Sequence, residues 1–240
     1  MPKWHAEPDT SPDLGYVSLA SVRAICAALP DVSTAWLSAS EQRRCEAISA
    51  QRRRQQFLAG RWFLRQSLAQ WHGGVASDYV LSAAEDGPPL LMAAPFDLCV
   101  LPLHVSLSHS ADWVACAAAS WPIGVDVEDT TRQRDTDALG AMIHGAHEAE
   151  AFAPLDAATR RRQFFARWTL KEAWIKQASH PPAMSATQFE PCEAQRADAV
   201  VMHSPAWVVA VAPVQMAALR CEGLLRQAIT TESWRRCADV

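Results

Sequence analysis

The sequence predicts an α+β fold made of two halves of similar order. Three observations lead there. Helical patterning covers 41–71 and again 159–177. Short apolar runs suited to strands occupy 105–119, 123–128, 199–202 and 206–212. Helices followed by strands therefore occur on both sides of Ser120-Trp121-Pro122, with the strand run 123–128 opening the second half. The expected division is a loose leader over 1–15, an N-terminal subdomain over 16–120 and a C-terminal subdomain over 121–240. No residue-level repeat links the halves.

Taken in order, the leader is rich in Pro, Asp and Ser. Val17 to Ala28 is small and apolar and stops at Leu29-Pro30. Ser40 is placed to cap a helix from Glu41. Helical patterning then runs to Trp71 as two helices with a break near Ser49. In the second, Phe57, Leu64, Leu68 and Trp71 form a core stripe, and Arg54, Arg61 and Arg65 lie on a neighbouring face. His72-Gly73-Gly74 ends it. Glu85 to Pro89 reads as a turn. Two strand-like pieces between 105 and 119 flank Ser108 to Asp112. Residues 129–137 read as loop, 138–152 as helix and 159–177 as a long helix with Phe164, Phe165, Trp168 and Ile175 on its apolar side. Short strands follow His180-Pro181-Pro182, and the tail from Glu222 is amphipathic and unassigned.

Composition narrows the function. The 240 residues are 50% hydrophobic and 20% charged, as in an ordinary soluble globular protein. A net charge of −4 gives no global basic excess, which argues against nucleic acid as a partner. The seven cysteines form no CxxC pair, so reduced cysteine in a cytoplasm is expected rather than a disulfide framework or a zinc site. There is no signal-peptide pattern and no apolar run long enough to span a membrane.

Chemistry concentrates in two segments, Ile123-Gly124-Val125-Asp126-Val127-Glu128 and Trp168-Thr169-Leu170-Lys171-Glu172-Ala173-Trp174-Ile175-Lys176. Asp126 and Glu128 are two apart and share one strand face. Glu172 and Lys176 are four apart and share one helix face. If helix and strand cross, three carboxylates converge as hard oxygen ligands suited to Mg²⁺, which would hold a pyrophosphate. Only three residues are lysine and two of them, Lys171 and Lys176, lie here. Unlike arginine, lysine gives up its proton when its surroundings lower its pKa. The plainer alternative is two solvated acids at a strand end and an ordinary Glu–Lys pair on a helix. His109, taken alone, reads as a core or capping histidine rather than a phosphate contact. His144, His147 and Glu148 read as a solvated helix face rather than a metal site, and Trp168 and Trp174 as packing residues. Arg160-Arg161-Arg162 reads either as a solvated helix start or as a contact for an acidic partner.

The two segments together resemble the signature of the Sfp-type (surfactin-type) 4′-phosphopantetheinyl transferases, G-(V/I)-D-x-E followed by W-(S/T)-x-K-E-(A/S)-x-x-K. The spacing from Asp126 to Trp168 is forty-two residues. Leu107-Ser108-His109-Ser110 is similar to that family's N-(L/I)-S-H-S element, and Arg54 to Arg65 to its R-x-x-F-L-x-G-R-x-L-L-R helix. The resemblance covers roughly residues 40–215.

It implies two similar α/β subdomains related by pseudo-twofold symmetry, with coenzyme A in the cleft between them. It implies Mg²⁺ on Asp126, Glu128 and Glu172, phosphate neutralisation by Lys171 and Lys176, and Glu172 or Lys176 assisting deprotonation of the acceptor serine. Ser108 and His109 would contact the 3′-phosphate end of coenzyme A, with Arg54 and Arg61 as weaker candidates. The activity implied is transfer of 4′-phosphopantetheine to a serine of an acyl or peptidyl carrier protein by a cytoplasmic monomer. An acidic carrier would suit a rim near 160–167. Two positions depart from the pattern: Pro88 stands where a basic residue is usual, and Ser106 where asparagine is usual. Two rivals stay open, a non-catalytic coenzyme A or carrier-protein binding module and a Mg²⁺-dependent phosphohydrolase.

Overall fold

The structure is a computed structural model and describes residues 14–30, 34–83, 87–95, 103–178 and 182–237. Most of the expected leader lies outside these residues. Leu14 is buried, however, and Gly15 already opens the first strand.

The first half begins with β1 (Gly15–Ser21) and α1 (Val22–Ala27), which the single apolar run 17–28 had merged. Ser21 separates them by capping α1, its Oγ accepting from Ala24 N at 3.1 Å. Next come α2 (Ala39–Ala47) and α3 (Gln51–His72), divided where the sequence predicts. The cap of α2 is Ser38, not Ser40. Ser38 and Glu41 exchange a capping box, because that reciprocal bond needs the acid three residues after the cap. Ser40 Oγ instead accepts from Ala83 N at 3.1 Å. α3 stops at Gly73, whose φ of +86° few other residues adopt cheaply.

A small hairpin, β2 (Val80–Ala83) and β3 (Pro89–Ala93), spans the predicted turn, of which 85 and 86 lie outside the described residues and Pro89 already opens β3. β4 (His104–Ser110) and β5 (Trp113–Ala119) close the half. Ser108, His109 and Ser110 sit inside β4. The turn is only Ala111-Asp112, with Ala111 at φ +52°.

The second half repeats this order. β6 (Gly124–Asp129) leads to α4 (Thr136–Ile143), α5 (Ala146–Phe152) and the long α6 (Ala157–Gln177). The helix expected over 138–152 breaks at His144-Gly145. β7 (Phe189–Pro191), the hairpin β8 (Ala199–His203) and β9 (Trp207–Ala212), β10 (Leu219–Gly223) and β11 (Thr230–Arg236) complete it, so the unassigned tail is largely strand.

In both halves the leading strand pairs antiparallel with the second strand of the hairpin, β1 with β5 and β6 with β9. One sheet has the order β10-β1-β5-β4 and the other β6-β9-β8-β11-β7. β10, from the C-terminal half, thus joins the N-terminal sheet, parallel to β1.

The layers run helix, sheet, sheet, helix. One apolar cluster joins the inner faces of both sheets, Val17, Leu19, Ala115 and Ala117 against Val125, Val127, Val209 and Val211. α3 covers the outside of the first sheet with Leu64, Leu68 and Trp71. α6 covers the second with Phe165, Leu170 and Ala173. Among the described residues no helix is long and apolar enough to cross a membrane.

Candidate active site

The site forms where β4, β6 and α6 meet. β4 presents Ser106, Ser108 and Ser110 at period two, all buried. Their hydroxyls accept from Val125 N at 3.0 Å, Val127 N at 3.4 Å and Asp129 N at 3.2 Å. This hydroxyl ladder joins the two halves and sets the register of β6 against β4. Two of the same hydroxyls donate onward, Ser108 to Asp126 Oδ1 and Ser110 to Glu128 Oε2, each at 2.7 Å.

α6 reaches this strand because Gly124 has no side chain. A Cβ there would stand 1.9 Å from the carbonyl oxygen of Ala173. The close approach brings Lys176 onto Asp126 Oδ1 at 2.5 Å and Ser108 Oγ at 2.9 Å. Asp126 Oδ2 is buried and has no donor among the described residues. Glu128 is fully engaged. Its Oε1 accepts from Arg134 Nη1 and Trp168 Nε1, both at 3.1 Å, and its Oε2 from Arg134 Nη2 at 2.8 Å besides Ser110.

Burial, then the nearby charge of Asp126 and that of Glu128, raise the Glu172 carboxyl above its ordinary range, with Lys176 opposing. Burial also raises Glu128, against the pull of Ser110 and Arg134. Asp126, Glu128, Glu172 and Lys176 are therefore one electrostatic unit.

An all-oxygen donor set, a buried Asp126 oxygen without a donor among the described residues, and an Asp126 charge that raises both glutamates suit a hard divalent cation. As placed, though, the acids are turned onto the chain's own cations, Asp126 onto Lys176 and Glu128 onto Arg134. Among the described residues, no three His, Cys, Asp or Glu side chains gather closely enough to hold an ion.

Other expected site residues lie elsewhere. Lys171 is fully buried and does not face the carboxylates. It donates to Ile143 O at 2.6 Å and Glu148 Oε2 at 2.5 Å. Being next to Glu172 on a helix, it points about 100° away. Glu148 and the His144 side chain are likewise buried rather than solvated, since Glu148 supplies the counter-charge for Lys171. The His147 side chain lies outside the description.

Arg61 is buried between Glu41 and the carbonyl of Ser82, and its burial lowers the guanidinium to about 10. Arg54 donates to Ile48 O at 2.8 Å. Arg61 therefore offers no free charge to a phosphate, whereas Arg54 is exposed and spends part of its guanidinium on a neutral carbonyl. The stretch 160–167 is also less of a rim than expected. Arg161 ties down the loop carbonyls of Thr130 and Arg132, and Arg167 packs on Phe152 and Trp234, leaving Arg162 the most exposed of its arginines.

Ser108 and His109 point to opposite sides of β4, as neighbours on a strand must. Ser108 belongs to the carboxylate seam. His109 is exposed and lines a cleft of about 320 Å³ with Arg44, Ser49, Ala50, Arg53 and Phe57. Desolvation in the cleft, then the charge of Lys176, hold its imidazole below the usual value. The N-terminus of α3 opens there with Ala50 as its cap, so no side chain satisfies the first amides. Arginines, a histidine and a bare helix N-terminus make an anion site. Sequence reasoning found His109 but missed Arg44 and Arg53, whose only signal is that they bracket the break at Ser49. It also missed Arg134 and the donor role of Trp168.

Residues 122–204 match the family model of the 4′-phosphopantetheinyl transferase superfamily. That segment carries both motifs, and over it the chain is similar to that superfamily. Within it the resemblance is to the Sfp-type transferases. A 4′-phosphopantetheinyl transferase of Bacillus subtilis is 26% identical over 65% of this chain and 66% of its own length. The transferase Sfp of B. subtilis strain 168 is 25% identical over 59% of this chain and 60% of its own. HetI of a Nostoc species, also a 4′-phosphopantetheinyl transferase by name, is 28% identical over 72% of each chain. The chain thus spans less than two thirds of the length of the two Bacillus proteins.

Proposed function

We propose that the chain transfers the 4′-phosphopantetheine arm of coenzyme A to a serine hydroxyl of an acyl or peptidyl carrier protein. What supports this reading is the seam where Lys176 bonds Asp126 and where the charges of Asp126 and Glu128 act on Glu172, together with the cleft lined by Arg44, Arg53 and His109. The cleft suits the 3′-phosphate end of coenzyme A, and the seam suits its pyrophosphate. Asp126 and Glu172, with Glu128 once Arg134 is displaced, are the residues that would hold Mg²⁺. When bound, Mg²⁺ supplies charge neutralisation at the pyrophosphate oxygens.

The chain's own residues do the rest. The ammonium of Lys176, fixed by Asp126 and Ser108, stands ready for phosphate charge. The carboxyl of Glu172, raised by burial and its acidic neighbours, holds a proton more readily than an ordinary glutamate. Glu172, or Lys176 once it has given up its own proton, takes the proton of the acceptor hydroxyl. The serine oxygen bonds to the β-phosphorus, the bridging P–O bond breaks, and 3′,5′-adenosine bisphosphate leaves. The work is mainly positioning and electrostatics.

The test is incubation with coenzyme A, Mg²⁺ and a panel of apo carrier proteins, read by intact mass. The expected outcome is one phosphopantetheine added at the carrier serine, with bisphosphate release that requires the carrier. Unchanged carrier masses across a broad panel would favour a binding module. Steady bisphosphate release into water alone would make it a hydrolase.

A further inference from the structure

Glu128 poses a problem for any ion that seeks it. A carboxylate offers about four lone-pair directions, and here four donors fill them: both Arg134 amines, Trp168 Nε1 and Ser110 Oγ. Ser110 is fixed by the ladder to Asp129 N, and Trp168 by its helix and its contact with Phe164. Arg134 is the donor able to leave. It is 24% exposed, whereas Glu128 is 10% exposed, and it comes from the loop between β6 and α4.

That loop is held at both ends. Thr130 binds the carbonyls of Pro205 and, through its amide, Ala206. Thr131 binds Asp129, and Arg161 holds the carbonyls of Thr130 and Arg132. Asp135 caps α4 through Ala138 N. An arginine displaced from Glu128 would therefore remain beside the seam.

We propose that Arg134 is a tethered counter-cation which a divalent ion must displace from Glu128, and which thereby sets the ion concentration at which the site loads. The inference rests on the metal-site reading above. It goes beyond that reading by making the chain's own guanidinium the competitor. A planar guanidinium matched to both carboxylate oxygens suits this role; a lysine would contact Glu128 at one point and hold it less firmly.

The experiment titrates the protein with Mn²⁺ alone and follows free Mn²⁺ by electron paramagnetic resonance. Arg134→Gln should bind Mn²⁺ roughly tenfold more tightly than the unaltered protein, about 1.4 kcal/mol. Arg134→Lys should fall between them. Arg132→Gln removes the same charge from the same loop and should change little. Asp126→Asn should weaken binding in every background. Equal or weaker Mn²⁺ affinity in Arg134→Gln, with Asp126→Asn still impaired, would overturn the counter-cation and leave the metal site standing. An equal gain in Arg132→Gln would reduce the effect to net charge and overturn it too. Absence of Mn²⁺ binding in all variants would remove the metal site, and this inference with it.

Discussion

Asp126 and Glu128 share a strand face and a residue class, yet they are prepared differently. Among the described residues, Asp126 keeps one buried oxygen without a donor, while Glu128 has none to spare. Asp126→Ala should therefore cut turnover by on the order of a hundredfold or more, as loss of a preorganised electrostatic group does. It should leave the Michaelis constant for coenzyme A less affected. His109→Ala should do the reverse, because it lines the cleft and not the carboxylate seam. Steady-state kinetics on both variants decide the matter, and near-normal turnover in Asp126→Ala would reject the site. Strand period two and helix spacing four paired Asp126 with Glu128 and Glu172 with Lys176, since both rules depend on local geometry alone, but taken alone they left the plainer reading of solvated acids open. Lys171 and Arg61, and in part Arg54, are turned to partners that a charge in a motif does not reveal. Those partners, Glu148, Ile48 O and Glu41, lie on other elements or across a helix break.

At the scale of elements, α6 is fixed from two sides. Gly124 lets it close onto β6, and Lys171 pins its other face to the α4–α5 corner through Ile143 O and Glu148. Breaking a buried pair leaves an uncompensated charge and costs about 3–5 kcal/mol. Glu148→Gln should accordingly lower Tm by roughly 6 °C or more at neutral pH. Burial alone would raise the Glu148 carboxyl, but the nearby His144 ring and the bond from Lys171 together bring it below its ordinary value. Its stabilisation is therefore complete above the ordinary carboxylate range and is lost as pH falls through the depressed value. The Tm gap between the two proteins should narrow in acid, and thermal unfolding across that range measures it. A gap that stays constant with pH would reject the assignment. α3 and α6 were legible because their apolar stripes are long. The boundary at Ser21 and the break at His144-Gly145 were not, because a short apolar run does not distinguish strand from helix.

For the whole molecule, the question is what makes two halves into one body. Valine and alanine side chains of both sheets form a single cluster, and the hydroxyl ladder closes its edge beside the site. β10 crosses back to pair with β1, so the first sheet itself draws on both halves. The order of elements predicted similar halves, but not this crossing, because pairing between distant segments leaves no local trace. One cooperative unit follows, so unfolding followed by circular dichroism and by tryptophan fluorescence should give one coincident transition. Ser106 offers a probe of the seam that touches no carboxylate. Its hydroxyl is the acceptor for the Val125 amide, at 3.0 Å in a buried position. Ser106→Ala leaves that amide without its acceptor, at a cost of about 1–3 kcal/mol. At about 2–4 °C per kcal/mol, Tm should fall by several degrees without splitting the transition. An unchanged Tm would mean that the ladder contributes nothing to the joint. Two separate transitions would mean that the halves are independent, and a site shared between them would then lack the rigid frame its geometry requires.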